Sequence, residues 1–179
     1  MSQVTDLVNR LDNCPAGEGG WREFEDLCTE VLKFLFVPPL VKPIIQPQTH
    51  SGTNRRDIVF PNRNFDQRHG WGLLLRELEA RMVLFEFKNY RTTDIGHEEV
   101  IQTSNYLTEP MGRLAIMICS KPPNKGAHIQ RNTIYSRYRK VILFMTKKDL
   151  KEMLFIKERG EDPCDLIIDL VERFYLQHE

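Results

Sequence analysis

No stretch of about 18 consecutive apolar residues occurs in the chain, so no transmembrane helix is expected. The opening residues, MSQVTDLVNRLDN, lack the basic-then-apolar order of a secretory signal. Cysteine pairing is missing too. Cys14, Cys28, Cys119 and Cys164 are scattered singly, and no CxxC occurs, which argues against a zinc ribbon or a redox motif. Isolated thiols fit a reducing compartment, so a cytoplasmic location is expected. GHEEV around His97 has no second histidine at the spacing a zinc hydrolase needs. No glycine-rich phosphate loop or coenzyme fingerprint is present, so any ATP dependence would have to come from a partner. No repeat or low-complexity segment breaks the chain. Acids are absent from residues 110–148, which hold nine basic residues, whereas residues 149–179 hold nine acids against four bases. The net charge is zero, yet such a basic stretch is either a solvated face or a local field for a polyanion.

What is present suits one globular domain. The 179 residues are 41% hydrophobic, enough for a sizeable core. Residues 1–18 read as a polar leader and loop, 19–146 as the core, and 147–179 as C-terminal helices. Apolar residues at Trp21, Phe24, Leu27, Cys28, Val31, Leu32 and Leu35 follow a 3.6-residue period and predict a helix over 21–36. Prolines in VPPLVKP end it. Strands are expected at 44–48, weakened by Pro47, and at 55–60 and 81–88, with a helix at 71–80. Then follow a helix at 95–107, a strand at 114–120, a helix near 126–137 and a strand at 140–146. Two helices close the chain, one capped by Thr146 and stopped at Gly160, the other over about 163–177. Short links predict an antiparallel meander for the first three strands, and strand–helix alternation predicts parallel addition of the rest. The expected class is α/β with a mixed central sheet.

The strand RMVLFEFK carries the chemistry. Side chains alternate faces along a strand, so Val83, Phe85 and Phe87 share one face and Met82, Leu84, Glu86 and Lys88 the other. The aromatic face suits the core. The other ends in a carboxylate and an ammonium, with the Phe87 carbonyl between them. A hard divalent cation takes oxygen ligands, commonly one or two carboxylates plus waters. Asp57, 29 positions earlier at the start of the preceding core strand, supplies a second carboxylate if the two strands are antiparallel neighbours. Read alone, Glu86 and Lys88 are a solvent-facing ion pair and Asp57 a turn-end residue. Together they suggest a metal-dependent hydrolytic site.

These residues resemble the PD-(D/E)XK nuclease superfamily, the restriction-endonuclease-like fold with an α-β-β-β-α-β core. The closer likeness is to the branch of Mrr-type restriction enzymes and nuclease effectors of bacterial anti-phage systems. GGWREFEDLCTEVL is similar to the opening helix of that branch. SGTNRRDIVF resembles its glycine turn and metal aspartate, VLFEFKNY its Glu-x-Lys strand, and EVIQTSNYL its next helix. The likeness spans about residues 19–146. It implies that Asp57, Glu86 and the Phe87 carbonyl hold Mg²⁺ or Mn²⁺ and that Lys88 positions or activates the attacking water. It also implies that Glu25 completes the metal site through a water and that Gln102 holds Lys88 or the substrate. Glu23 and Glu30 lie at the opposite border of the first helix stripe. The proline that often precedes the aspartate is replaced by Arg55-Arg56, a pair suited to the phosphates flanking a scissile bond. Asn89 and Tyr90 are candidates for backbone or base contact.

The function expected from this reading is a Mg²⁺- or Mn²⁺-dependent endonuclease acting on DNA, in bacterial defence or restriction. The basic stretch 110–148 would add an electrostatic grip. The alternatives are a catalytically silent nuclease-fold module that binds nucleic acid or protein, and an RNA-cleaving toxin using the same site. A homodimer, a regulatory protein partner or larger complex, or a place as one domain of a longer chain is expected, because so small a domain leaves little room for sequence reading.

Overall fold

The structure is a computed structural model that describes residues 2–52 and 55–178; Thr53 and Asn54, part of the turn expected at THSGTN, lie outside the described residues. Its elements in chain order are α1 (Gln3–Asn13), α2 (Trp21–Phe36), β1 (Ile44–Ile45), β2 (Ile58–Pro61), α3 (Trp71–Leu78) and β3 (Met82–Lys88). They continue with α4 (His97–Tyr106), β4 (Leu114–Cys119), α5 (Lys125–Tyr138), β5 (Val141–Thr146), α6 (Lys147–Glu158) and α7 (Cys164–Gln177). The five strands form one sheet in the order β1-β2-β3-β4-β5. β1, β2 and β3 pair antiparallel, whereas β3, β4 and β5 pair parallel. The protein is thus a mixed α/β fold, a five-stranded mixed sheet flanked by helices. Among the described residues, no helix is long and apolar enough to cross a membrane.

Period-2 alternation sorts the strands onto two cores. Ile58, Phe60, Val83, Phe85, Phe87, Ile116, Ile118, Leu143 and Met145 face α1, α2, α3, α6 and α7. Val59, Leu84, Ala115, Met117, Cys119 and Ile142 face α4 and α5. The unbroken apolar runs of β4 and β5 follow, since a parallel strand covered on both faces has no polar side. The larger core is aromatic at its centre. Phe85 lies 6.2 Å from Phe36 and 5.6 Å from Phe60, and Trp71 meets Phe36 edge-on at 4.9 Å. Phe87 completes the row with an edge contact to Phe24 of α2.

Two expectations are corrected. The polar leader is a helix that belongs to the core. Ser2 caps α1 by accepting from the Thr5 amide at 3.1 Å, and Val4, Leu7 and Leu11 are buried against the larger cluster. These side chains repeat at helical spacing within an otherwise polar sequence, so overall polarity masked the stripe. α1 is fastened to α6 by the Lys151–Asp12 ion pair at 2.6 Å and to α2 by Arg10–Glu30 at 2.6 Å. The strand expected at 44–48 is only two residues long, followed by a lone bridge between Gln48 and Arg55. Gln46 takes a left-handed backbone (φ 49°) and Pro47 lacks an amide donor, so the ladder cannot continue.

The basic stretch 110–148 is not one surface. Arg113 pairs with Glu79, Lys121 pairs with Asp94, and Arg131 is buried between the rings of Phe144 and Phe174. Lys140 donates to the Ser104 carbonyl and Lys147 to the Cys14 carbonyl. Contiguity in sequence therefore overstates the free basic surface, of which Lys125, Arg137, Arg139 and Lys148 are exposed. Leu7 has no exposed surface, so Leu7→Ala should cost about 2–5 kcal/mol by cavity formation. Chemical denaturation checks this. An unchanged midpoint would mean that α1 is an appendage.

Candidate active site

The site forms where β2 begins and β3 ends. The ladder sets Ile58 opposite Phe85, so the residue before β2, Asp57, falls beside Glu86. Asp57 then reaches across. Its Oδ2 accepts the Phe87 amide at 2.7 Å, which bridges the two strand ends through a side chain. Phe85 and Phe87 are held in the aromatic core, so Glu86 and Lys88 are fixed on the opposite face, only 3% and 8% exposed. This buried pair is thus not the solvent-facing ion pair that the local sequence suggests when read alone.

Lys88 Nζ stands 3.3 Å from Glu86 Oε1 and donates to Gln102 Oε1 at 3.0 Å. Gln102 donates in turn to the Tyr106 hydroxyl at 2.9 Å. Gln102 and Tyr106 are four residues apart on α4 and share one helix face. Glu25 of α2, half-buried, accepts from Gln46 Nε2 at 2.9 Å, and its charge acts on Asp57. Glu30 is engaged by Arg10 instead, and Glu23 is exposed.

Burial sets the electrostatics. It pushes the Glu86 carboxyl up to about 7, helped by the nearby Asp57 charge and opposed by Lys88. Burial likewise raises Asp57, against the stabilising Phe87 amide and with the Glu25 charge adding to the rise. Burial alone would lower Lys88, but Glu86, Tyr90 and Asp57 outweigh it and the net shift is upward. Glu86 Oε2 is buried and receives no hydrogen bond. Two crowded carboxylates, one with an oxygen lacking a donor, form an electron-rich pair that a hard divalent cation could satisfy. Asp57 and Glu86 are the residues suited to hold it. Among the described residues, no group of three or more His, Cys, Asp or Glu side chains could hold a metal.

The remaining candidates divide. Arg55 lines a cleft with Glu25 and Gln46 beside the site. Arg56 does not join it. It is 8% exposed, and its Nε and Nη2 both donate to the Tyr106 carbonyl, at 3.0 and 2.9 Å. Its guanidinium ties β2 to the end of α4, so a role on phosphates does not fit. Asn89 is also occupied. It accepts from the Gly17 amide at 3.3 Å and donates to the Pro15 carbonyl at 3.1 Å. The Tyr90 backbone exchanges two hydrogen bonds with the Ser120 hydroxyl, each 2.9 Å. Tyr106 and Gln46 were missed in the sequence. The four-residue spacing of Gln102 and Tyr106 was an available signal; for Gln46 there was none, since its place depends on the left-handed turn.

No family model matches the chain, and no solved structure matches it. A protein of Escherichia coli (strain K12) named as a transposon gamma-delta 80.3 kDa protein is 30% identical over 115 residues, 64% of this chain. The chain spans 16% of that relative's length.

Because Glu86 has its pKa raised on folding, from 4.5 to about 7, its contribution is fully stabilising below pH 4.5 and is lost as pH rises through about 7. Without divalent cations, wild-type protein should therefore lose thermal stability between pH 5 and 8, and Glu86→Gln should lose distinctly less. Melting temperatures across that range decide. Parallel curves for the two proteins would contradict the crowding of the carboxylates.

Proposed function

We propose that the protein is a metal-dependent phosphodiesterase of the restriction-endonuclease-like, PD-(D/E)XK type, cleaving DNA as an endonuclease. The observation that carries this reading is the convergence of Asp57, Glu86 and Lys88 at adjoining strand ends, with a Glu86 oxygen left without a donor. The antiparallel-then-parallel sheet order agrees with the α-β-β-β-α-β core expected for that type. The choice of DNA over RNA as the polymer rests on the sequence resemblance. A place in bacterial defence or restriction follows from the sequence resemblance and also has DNA as its target.

Asp57 and Glu86 would hold Mg²⁺ or Mn²⁺, with the Phe87 carbonyl as a further oxygen and Glu25 acting through a water. When bound, such a cation polarises the scissile phosphate and acidifies a water. The chain's own residues supply the rest. Lys88 has its pKa raised, so it stays cationic at neutral pH. Its role is to position or activate the attacking water and to balance developing negative charge. Gln102 and Tyr106 keep the ammonium aimed at the carboxylates. Arg55 remains available beside the site for a flanking phosphate. Cutting both strands with one such site per chain calls for a second copy or a partner.

Purified protein should nick or degrade plasmid, linear duplex or single-stranded DNA with Mg²⁺ or Mn²⁺ and should be inactive with EDTA. Asp57→Asn and Lys88→Ala should each lower the rate by about 100-fold or more. Undiminished cleavage by both variants would overturn the assignment. Metal-independent binding without cleavage would favour the silent module, and cleavage confined to RNA would favour the toxin.

A further inference from the structure

A cavity of about 930 Å³ opens directly on Phe87 and Lys88. It lies between residues 15–21, which lead into α2, and residues 87–93, which follow β3. Its volume falls in the range of built ligand sites, about 300–1,000 Å³. The two walls are locked together rather than loosely apposed. Asn89 bonds the Pro15 carbonyl and the Gly17 amide, as described. Gly17 sits at φ 95°, where a Cβ would stand 3.0 Å from Cβ of Arg91. A Cβ on Gly20 would collide with the Pro15 carbonyl at 2.4 Å. Glycine at these positions lets the loop close tightly and keeps the cavity shaped.

Trp21 stands on the rim, 43% exposed, although it opens a helix whose apolar stripe is otherwise buried. It lines both this cavity and the smaller cleft that holds Glu25 and Arg55. Arg22, 5.5 Å over the indole, lines the smaller cleft and not the larger cavity. The cavity is thus lined by Trp21 and by two basic residues, Lys88 and Arg91, against one acid, Glu18. An exposed aromatic side chain in a cleft that basic residues help to line is the chemistry of single-strand binding. A paired duplex keeps its base faces stacked on each other and offers none to an indole, whereas an unpaired or extruded base does.

We infer that this cavity receives an unpaired base of a DNA strand next to the scissile phosphate, with Trp21 as its stacking platform. The identity of the ligand as nucleic acid rests on the nuclease reading above. The substrate is then DNA that is single-stranded, or locally unpaired at the point of cleavage, and blunt duplex is a poor one. Trp21 is a specificity-determining residue, distinct from the group that performs the chemistry.

The test uses oligonucleotides of one sequence, offered in EDTA as single strand, blunt duplex and duplex with one unpaired base. Trp71, 2% exposed, gives a constant fluorescence background, so a binding-dependent change reports Trp21. Single strand and unpaired duplex should quench that emission and bind more tightly than blunt duplex. Trp21→Leu should weaken binding of these two by about tenfold and leave blunt duplex unchanged, and Trp21→Phe should restore most of the loss. Equal binding of single strand and blunt duplex, an equal loss on both, or unaltered emission at saturation would overturn the inference. Tighter binding of an RNA strand than its DNA counterpart would overturn the choice of DNA. The two readings fail separately. Cleavage that ignores Trp21 removes the pocket and spares the nuclease, whereas Trp21-dependent binding without any cleavage does the reverse.

Discussion

The antiparallel register of β2 on β3, clasped by the Phe87 amide on the Asp57 carboxylate, is the contact on which the site depends. A one-residue slip would turn Glu86 and Lys88 into the aromatic core and Phe85 and Phe87 out of it. Two unrelated requirements thus select the same register. The core needs Phe85 against Phe36 and Phe60, and the site needs Asp57 beside Glu86. The hydrophobic effect fixes the strand from one face, so the charges on the other cannot rearrange to relieve their crowding.

That crowding has a cost. Two carboxylates and an ammonium are withdrawn from water, and only one Glu86 oxygen has a donor. Removal from water penalises each charge, and the single ion pair repays it incompletely. The surrounding structure carries the deficit: Gln102 and Tyr106 orient the lysine, and Arg56 anchors the end of α4 that presents them. The second carboxylate acts both ways, since its charge raises Glu86 further and also supports the Lys88 ammonium. Carboxylates shifted upward in a desolvated cluster of this kind are what the proposed function rests on.

Much of this was legible in the sequence, for physical reasons that vary by element. α2, β3, β4 and β5 showed their periodicity because each buries a long, regular apolar face. The strand alternation of residues 82–88 was enough to set Glu86 and Lys88 on one side, and meander geometry was enough to bring Asp57 to them. α1 was hidden by its polar composition, although Val4, Leu7 and Leu11 kept helical spacing. Arg56 reads like Arg55 in a sequence. Only the backbone path between the Gln48–Arg55 bridge and β2 separates them, sending one guanidinium to the Tyr106 carbonyl and leaving the other by the cleft. The basic stretch 110–148 was legible only in part, because charge along a chain says nothing of which way its elements face. Lys140 and Lys147 end on carbonyl oxygens, and Arg131 between two rings. The cavity under Trp21 was not readable at all, since it arises from two loops joined through Asn89.

The claim at the centre of this account is that Asp57 and Glu86 act together on one divalent cation. Calorimetric titration of Mn²⁺ into the wild-type protein, Asp57→Asn and Glu86→Gln at neutral pH tests it directly. Saturable binding of one ion per chain by the wild type, lost in either variant, is the predicted result. Absence of binding to the wild type, or equal binding by all three proteins, would contradict it.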